Sequence, residues 1–256
     1  MRSLLIFLTA MALTVGCSDS SSGSGGMAED PVLPQTGQGA EDYLTDSPFS
    51  RLVIEVDVAE GQNLDPAALS LLVQRAGERC NKPGGIDTDT AQVIPSADLQ
   101  SAWSASDLLD LRARFFDQVS GGDTAGLYVL YLNGRWADNP DVLGVTFAAD
   151  AYAIFPERIQ AAFPVPLARE RVERAVHVHE FGHLLGLVGL SIPHAGHSPA
   201  EHQDANDPVH DENDQCVMFR EVGGGLLSDP PNDFCGCCQV DVEAAGGRPA
   251  TVTTCP

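Results

Sequence analysis

Residues 179–197 read HEFGHLLGLVGLSIPHAGH. In a helix, His179 and His183 are four residues apart on one face, close enough to grip one metal ion through imidazole nitrogens. Glu180 stands beside them without being a ligand, and can take a proton from a water that the metal activates. Phe181, Gly182, Leu184 and Leu185 make the surrounding helix largely apolar, a setting in which unpaired imidazoles would be costly. A zinc centre with an open position keeps three protein ligands. Gly189 stands where a third histidine would close the shortest form of the motif. All seven histidines lie between residues 177 and 210, so the candidates for the third ligand are His194, His197, His202, Asp204 and His210. His202, with a carboxylate close by in "HQD", is the strongest rival to His210. His194 and His197, in a Pro- and Gly-containing loop, are expected to line the cleft. His177 precedes His179 by two residues and so faces away, as a structural residue.

Further along, "HDENDQCVMF" begins at His210 and "CGCC" spans 235–238. The chain resembles the metzincin zinc peptidases, which share His-Glu-x-x-His-x-x-Gly, and within them the archaemetzincin family. There a third histidine is followed by Cys-x-Met and then Cys-x-x-Cys, as in His210, Cys216, Met218, Cys235 and Cys238 here. The matching stretch runs from about residue 172 to 238. In this chain 23 residues separate Gly186 from His210, where the family has only a pair, so an insert precedes the third ligand. The resemblance implies His179, His183 and His210 as zinc ligands, Glu180 as general base and acid, and Met218 as the turn residue beneath the metal. It implies hydrolysis of a peptide or protein substrate. Alternatives are a zinc hydrolase of a non-peptide amide or ester, and an envelope lipoprotein that binds zinc without turnover. Phe219 stands where some metzincins carry a tyrosine, so no phenol at that position stabilises an oxyanion.

The cysteines admit two readings. Archaemetzincins hold a second, structural zinc with four cysteines; here Asp211 takes the place of the first, leaving Cys216, Cys235 and Cys238 with Asp211 or Cys237 as the fourth. In an exported protein the same thiols form disulfides instead, and six cysteines beyond Cys17 allow three bridges. Disulfides are the favoured expectation. The insert is acid-rich, with Asp204, Asp207, Asp211, Glu212 and Asp214 beside Asn206 and Asn213. Such a loop is either solvated or a calcium site.

Outward from the motif, "ARERVERAVHVHEFGHLLGL" is the most helical stretch. A strand is expected over Leu52–Val58, and a helix follows with Asp65 as N-cap and Pro66 at its first position. A second helix is expected over Ser106–Val119, a buried strand over 126–134, and one or two strands in "LGVTFAADAYAIF". This order predicts an α/β (α+β) fold with a mixed, mainly parallel sheet, two helices plus the active-site helix, and a loop-rich, Cys-containing C-terminal subdomain from about residue 189.

The N-terminus, MRSLLIFLTAMALTVGC, carries an apolar run too short to span a bilayer and reads as an export signal over residues 1–16. Leu13 to Cys17 resemble a bacterial lipobox, implying acylation at Cys17 and a protein anchored to the envelope membrane; the alternative is an ordinary cleaved signal. Residues 17–47 read as a flexible Ser/Gly/acidic tether, and 48–256 as one zinc peptidase domain, a monomer. The net charge of −22 argues against nucleic acid and against electrostatic adhesion to anionic lipid.

Overall fold

A computed structural model describes residues 36–90, 92–221, 229–252 and 255. The export signal, Cys17 and most of the tether lie outside the described residues. Among the described residues no helix is long and apolar enough to cross a membrane.

Six strands form one sheet: β1 (Arg51–Ala59), β2 (Gly85–Asp89), β3 (Val93–Ile94), β4 (Thr124–Tyr131), β5 (Gly144–Ala148) and β6 (Ala151–Ile154). Their order is β2-β1-β4-β6-β5, with β3 also pairing β1. Every pairing is parallel except β5–β6, so the sheet is mixed and mainly parallel, as expected. Parallel strands need both faces covered, and alternation along β4 shows how this is met. Leu127, Val129 and Tyr131 join one core, while Tyr128 and Leu130 join a second on the opposite face.

The first core lies under α2 (Pro66–Arg79) and α5 (Pro166–Leu184), the second under α3 (Ala105–Phe115). Asp65 caps α2 by accepting the Ala67 N–H at 2.9 Å, with Pro66 at its first position. Ser104 and Asp107 form a capping box on α3, which ends at Phe115 rather than Val119. A short helix α4 (Pro156–Ala162) precedes α5, and α6 (Gly236–Ala244) follows the loop-rich region.

The tether is shorter than the sequence suggests. Residues 40–44 form α1 (Ala40–Leu44), with Tyr43 and Leu44 buried in the first core. The Tyr43 hydroxyl donates to the Gly126 carbonyl at 3.1 Å. The buried Lys82 ammonium donates to the carbonyls of Asp42, Thr45 and Phe49. An acidic stretch that looks unfoldable alone is therefore held by one lysine and one tyrosine.

Near the end of β1, Asp57 is buried and accepts a 2.7 Å hydrogen bond from the Tyr128 hydroxyl. Burial raises its pKa to about 6, against the Tyr128 hydrogen bond and with help from nearby Glu55. A carboxyl whose folded pKa lies above its unfolded value near 3.8 favours the folded state only while protonated. That stability is present below pH 4 and lost as pH rises through 6. Asp57→Asn keeps an acceptor for Tyr128 and removes the charge. The variant should be more stable than wild type by about 2–3 kcal/mol at pH 8. The gap should shrink by more than about 1 kcal/mol at pH 5. Urea unfolding at both values checks this, and a pH-independent gap would show that Asp57 is already neutral or already compensated.

Candidate metal centre

Helix α5 carries His179, Glu180 and His183 at its buried C-terminal end. It stops at Leu184; Gly186, at φ +71°, returns its N–H to the His183 carbonyl at 3.0 Å. Val188, at φ +57°, is a β-branched residue in left-handed backbone. Its carbonyl accepts from Gln203 Nε2 at 3.0 Å, which ties the insert to the end of the motif.

The insert brings His210 back onto the helix. His179, His183 and His210 form a triangle with ring centroids 4.8, 5.2 and 5.2 Å apart, all three essentially buried. His179 Nε2 and His183 Nε2 face each other at 3.1 Å. Two nitrogens bound to one tetrahedral zinc at about 2.0–2.1 Å would stand about 3.3 Å apart. Burial lowers the pKa of His179 to about 3, helped by the nearby His210 ring, and pushes His183 well below the usual range. Both rings are therefore neutral, the form in which an imidazole ligates a cation. His179 Nδ1 donates to the Val217 carbonyl at 2.7 Å, which directs its Nε2 lone pair into the triangle. His210 Nδ1 stands 2.9 Å from Asp207 Oδ2, but neither ring nitrogen meets hydrogen-bond geometry, and both are buried. Three buried imidazoles, two of them with contacts behind the ring, fit a zinc ion.

Glu180 is fully buried beside the triangle. Its Oε2 accepts from Thr146 Oγ1 at 2.9 Å on β5. A side chain at Gly144 would meet Glu180 Oε1 at 2.8 Å, so this glycine lets the strand approach the carboxylate. Met218 is buried against Gly182 of α5. A cleft lined by Ala175, His179, Val217, Phe219, Glu221 and Pro231 reaches the first ligand.

The rival ligand His202 does not join the triangle. It lies in a second cluster with Asp211, Cys235 and Cys238, whose ligand atoms are all within 4.8 Å of one another. The favoured disulfide reading is corrected here. Cys237 pairs with Cys255, but Cys216, Cys235 and Cys238 are free thiols, as is the buried Cys80. Cys237 cannot then be the fourth ligand, and Asp211 takes that place. Cys216 and Cys238 sulfurs are 3.8 Å apart, and Asp211 Oδ2 lies 2.9 Å from Cys235 Sγ and 3.7 Å from Cys238 Sγ. Two thiolates on one zinc at about 2.3 Å stand about 3.8 Å apart. Cys235 Sγ donates to Asp211 Oδ2, and hydrogen bonds from Cys216 and Cys238 lower the pKa of its thiol. Three sulfurs and one carboxylate at these separations fit a structural metal. Burial opposes charge on His202, but contacts with Asp211 and Cys235 raise its pKa to about 9.

The acidic insert does not converge on one point among the described residues. Asp204 Oδ1 accepts from the Asn206 N–H, Asp207 faces His210, and Asp211 joins the thiols. The carboxylates expected to share a calcium ion are thus committed to separate partners. His194 and His197 do not line the cleft; they turn to Asp241 on α6. His177 is structural, its Nδ1 paired with the Tyr152 hydroxyl at 3.1 Å. Sequence reading did not anticipate Asp207 as the orienter of His210, nor Thr146 or Asp241.

No model of a protein family matches the chain, and no curated protein does. The crystal structure of archaemetzincin from Methanopyrus kandleri aligns with a TM-score of 0.49 at 16% identity, over 77% of this chain and 96% of that one. Metalloproteinase-II from Bacteroides fragilis aligns with a TM-score of 0.37 at 16% identity, over 80% of this chain and 54% of its own length.

Proposed function

We propose that the chain is a zinc-dependent peptidase whose centre is His179, His183 and His210, with Glu180 as general base and then general acid. The carrying observation is the convergence of three buried imidazoles beside one buried carboxylate. Zinc bound there supplies Lewis acidity that polarises a scissile carbonyl and lowers the pKa of water. The chain supplies the rest. Val217 O and Asp207 hold His179 and His210 in ligating orientation. Thr146 fixes Glu180 Oε2, so that the carboxylate is positioned to hold a proton and deliver it to a leaving amine. The peptide substrate class is supported by β5, the antiparallel strand at the sheet edge, which packs beside Glu180. An extended chain can add to such an edge through main-chain hydrogen bonds.

Cys216, Cys235, Cys238 and Asp211 hold a second, structural zinc in the same proposal. Export and acylation at Cys17 belong to it as well, on the strength of the N-terminal sequence.

Glu180→Gln separates catalysis from binding. The variant should retain its zinc and lose about 10²–10⁴-fold in kcat on casein or a peptide library. If wild type loaded with zinc cleaves no peptide, the peptidase reading fails. Turnover of an amide or ester substrate alone would favour the non-peptide alternative.

A further inference from the structure

Asp241, on α6, is 1% exposed, and its two oxygens have different surroundings. Oδ1 accepts the Ala195 N–H at 2.6 Å and pairs with His197 Nε2 at 3.0 Å. Oδ2 has no hydrogen-bond partner, yet stands 3.4 Å from His194 Nδ1 and 3.7 Å from His202 Nε2. His194 Nδ1 also lacks a hydrogen-bond partner. The three rings surround the carboxylate with centroids 5.1 to 5.4 Å apart. This buried oxygen and the two ring nitrogens that face it lie within 4.8 Å of one another, and one shared cation would satisfy all three.

We propose that His194 Nδ1, His202 Nε2 and Asp241 Oδ2 bind a divalent transition-metal ion of the zinc class, at a site apart from the imidazole triangle and adjoining the thiolate cluster, whose Cys238 Sγ stands 3.7 Å from the same His202 Nε2. Donors about 2.0–2.1 Å from a tetrahedral ion stand about 3.3 Å apart, so the observed separations need only a small contraction. Two imidazoles and one carboxylate suit zinc, cobalt or nickel better than calcium or magnesium. The outer contacts are those that metal ligands use. His197 and the Ala195 N–H hold Oδ1, which aims Oδ2 at the ion, and His202 Nδ1 stands 3.1 Å from the Asp211 carboxylate.

The site has a use that apolar packing cannot meet. Between residues 190 and 204 only Ile192 and His202 are buried. Three donors drawn from the insert and α6 close this polar loop onto the scaffold, and metal affinity becomes folding free energy for the segment. The same His202 then links the loop to the Asp211 cluster, so the insert is fixed before it delivers His210.

The proposal does not depend on peptidase activity, and its test does not read activity. The full chain is stripped of metal under reducing conditions and titrated with cobalt(II), counting bound ions by elemental analysis and following the sulfur-to-cobalt charge-transfer band. Wild type should bind three equivalents. His194→Ala should bind one fewer with the sulfur band unchanged, and His194→Asp, which restores a donor, should recover it. His210→Ala removes a different equivalent, so the triangle is counted independently. Equal stoichiometry in wild type and His194→Ala overturns the site. Loss of the sulfur band in His194→Ala also overturns it, because the histidines would then only support the cysteine cluster.

Discussion

His210→Ala should abolish tight zinc binding at the imidazole triangle, and with it peptide turnover, while His202→Ala leaves both intact. The two histidines are the rivals that spacing alone cannot separate. They differ in surroundings: His210 stacks on His179 at 5.2 Å, whereas His202 sits against Asp211. Removing one of three ligands leaves two protein nitrogens, fewer than a catalytic zinc keeps. The loss should exceed the roughly 10–100-fold that follows removal of an outer-shell partner. Asp207→Asn provides that comparison. It leaves His210 in place but weakens the contact that orients its ring, so zinc affinity should fall by about 10–100-fold. Competition with a chromogenic chelator ranks the three variants. If His202→Ala releases the zinc and His210→Ala does not, the ligand assignment is wrong.

The parts of this arrangement that were legible in sequence are those whose signal is local. The spacing of His179 and His183, the cap at Asp65 and Pro66, and the apolar alternation of β1 and β4 each concern residues within a few positions of one another. The proposed third ligand was legible only because Met218 fixed a count backwards to His210. β2 could not be placed from its own residues because GIDTD is polar; it is a strand through pairing with β1 from Arg51–Gly85 to Glu55–Asp89. α1 was missed because its stability comes from Lys82 and Gly126, far along the chain. α6 was read as a cysteine motif, and Asp241 on it gave no sign of the three histidines it would meet. The cysteine expectation failed for the same reason. Pairing depends on which thiols the fold brings together, and here it gathers three around a carboxylate and sends Cys237 to Cys255.

Gly182→Ala should lower stability and disturb the triangle, even though alanine is the better helix former. Gly182 lies within α5 between the two ligating histidines. A Cβ there would sit 2.2 Å from Met218 Sδ and 2.8 Å from Phe234 Cε1. Met218 is fully buried and Phe234 nearly so, so neither can swing into solvent. Alanine gains about 1 kcal/mol of helix propensity, against an overpacking cost of about 1–3 kcal/mol or more. With a contact this short the cost falls at the upper end, for a net loss of about 2 kcal/mol. For a domain of this size that is a melting temperature lower by about 4–8 °C. Gly77→Ala in α2 is the matched control, because its Cβ would meet nothing within 4 Å. It should stabilise by about 0.5–1 kcal/mol. The functional consequence follows from the chain beside Met218. The Val217 carbonyl holds His179 Nδ1 at 2.7 Å, so a methionine pushed away from α5 pulls that acceptor with it, and His179 loses the contact that fixes its tautomer. Zinc affinity in Gly182→Ala should therefore fall together with the melting temperature. A variant that melts as wild type does, or that melts earlier with its zinc affinity unchanged, would show that Met218 packs beneath the site without helping to hold it.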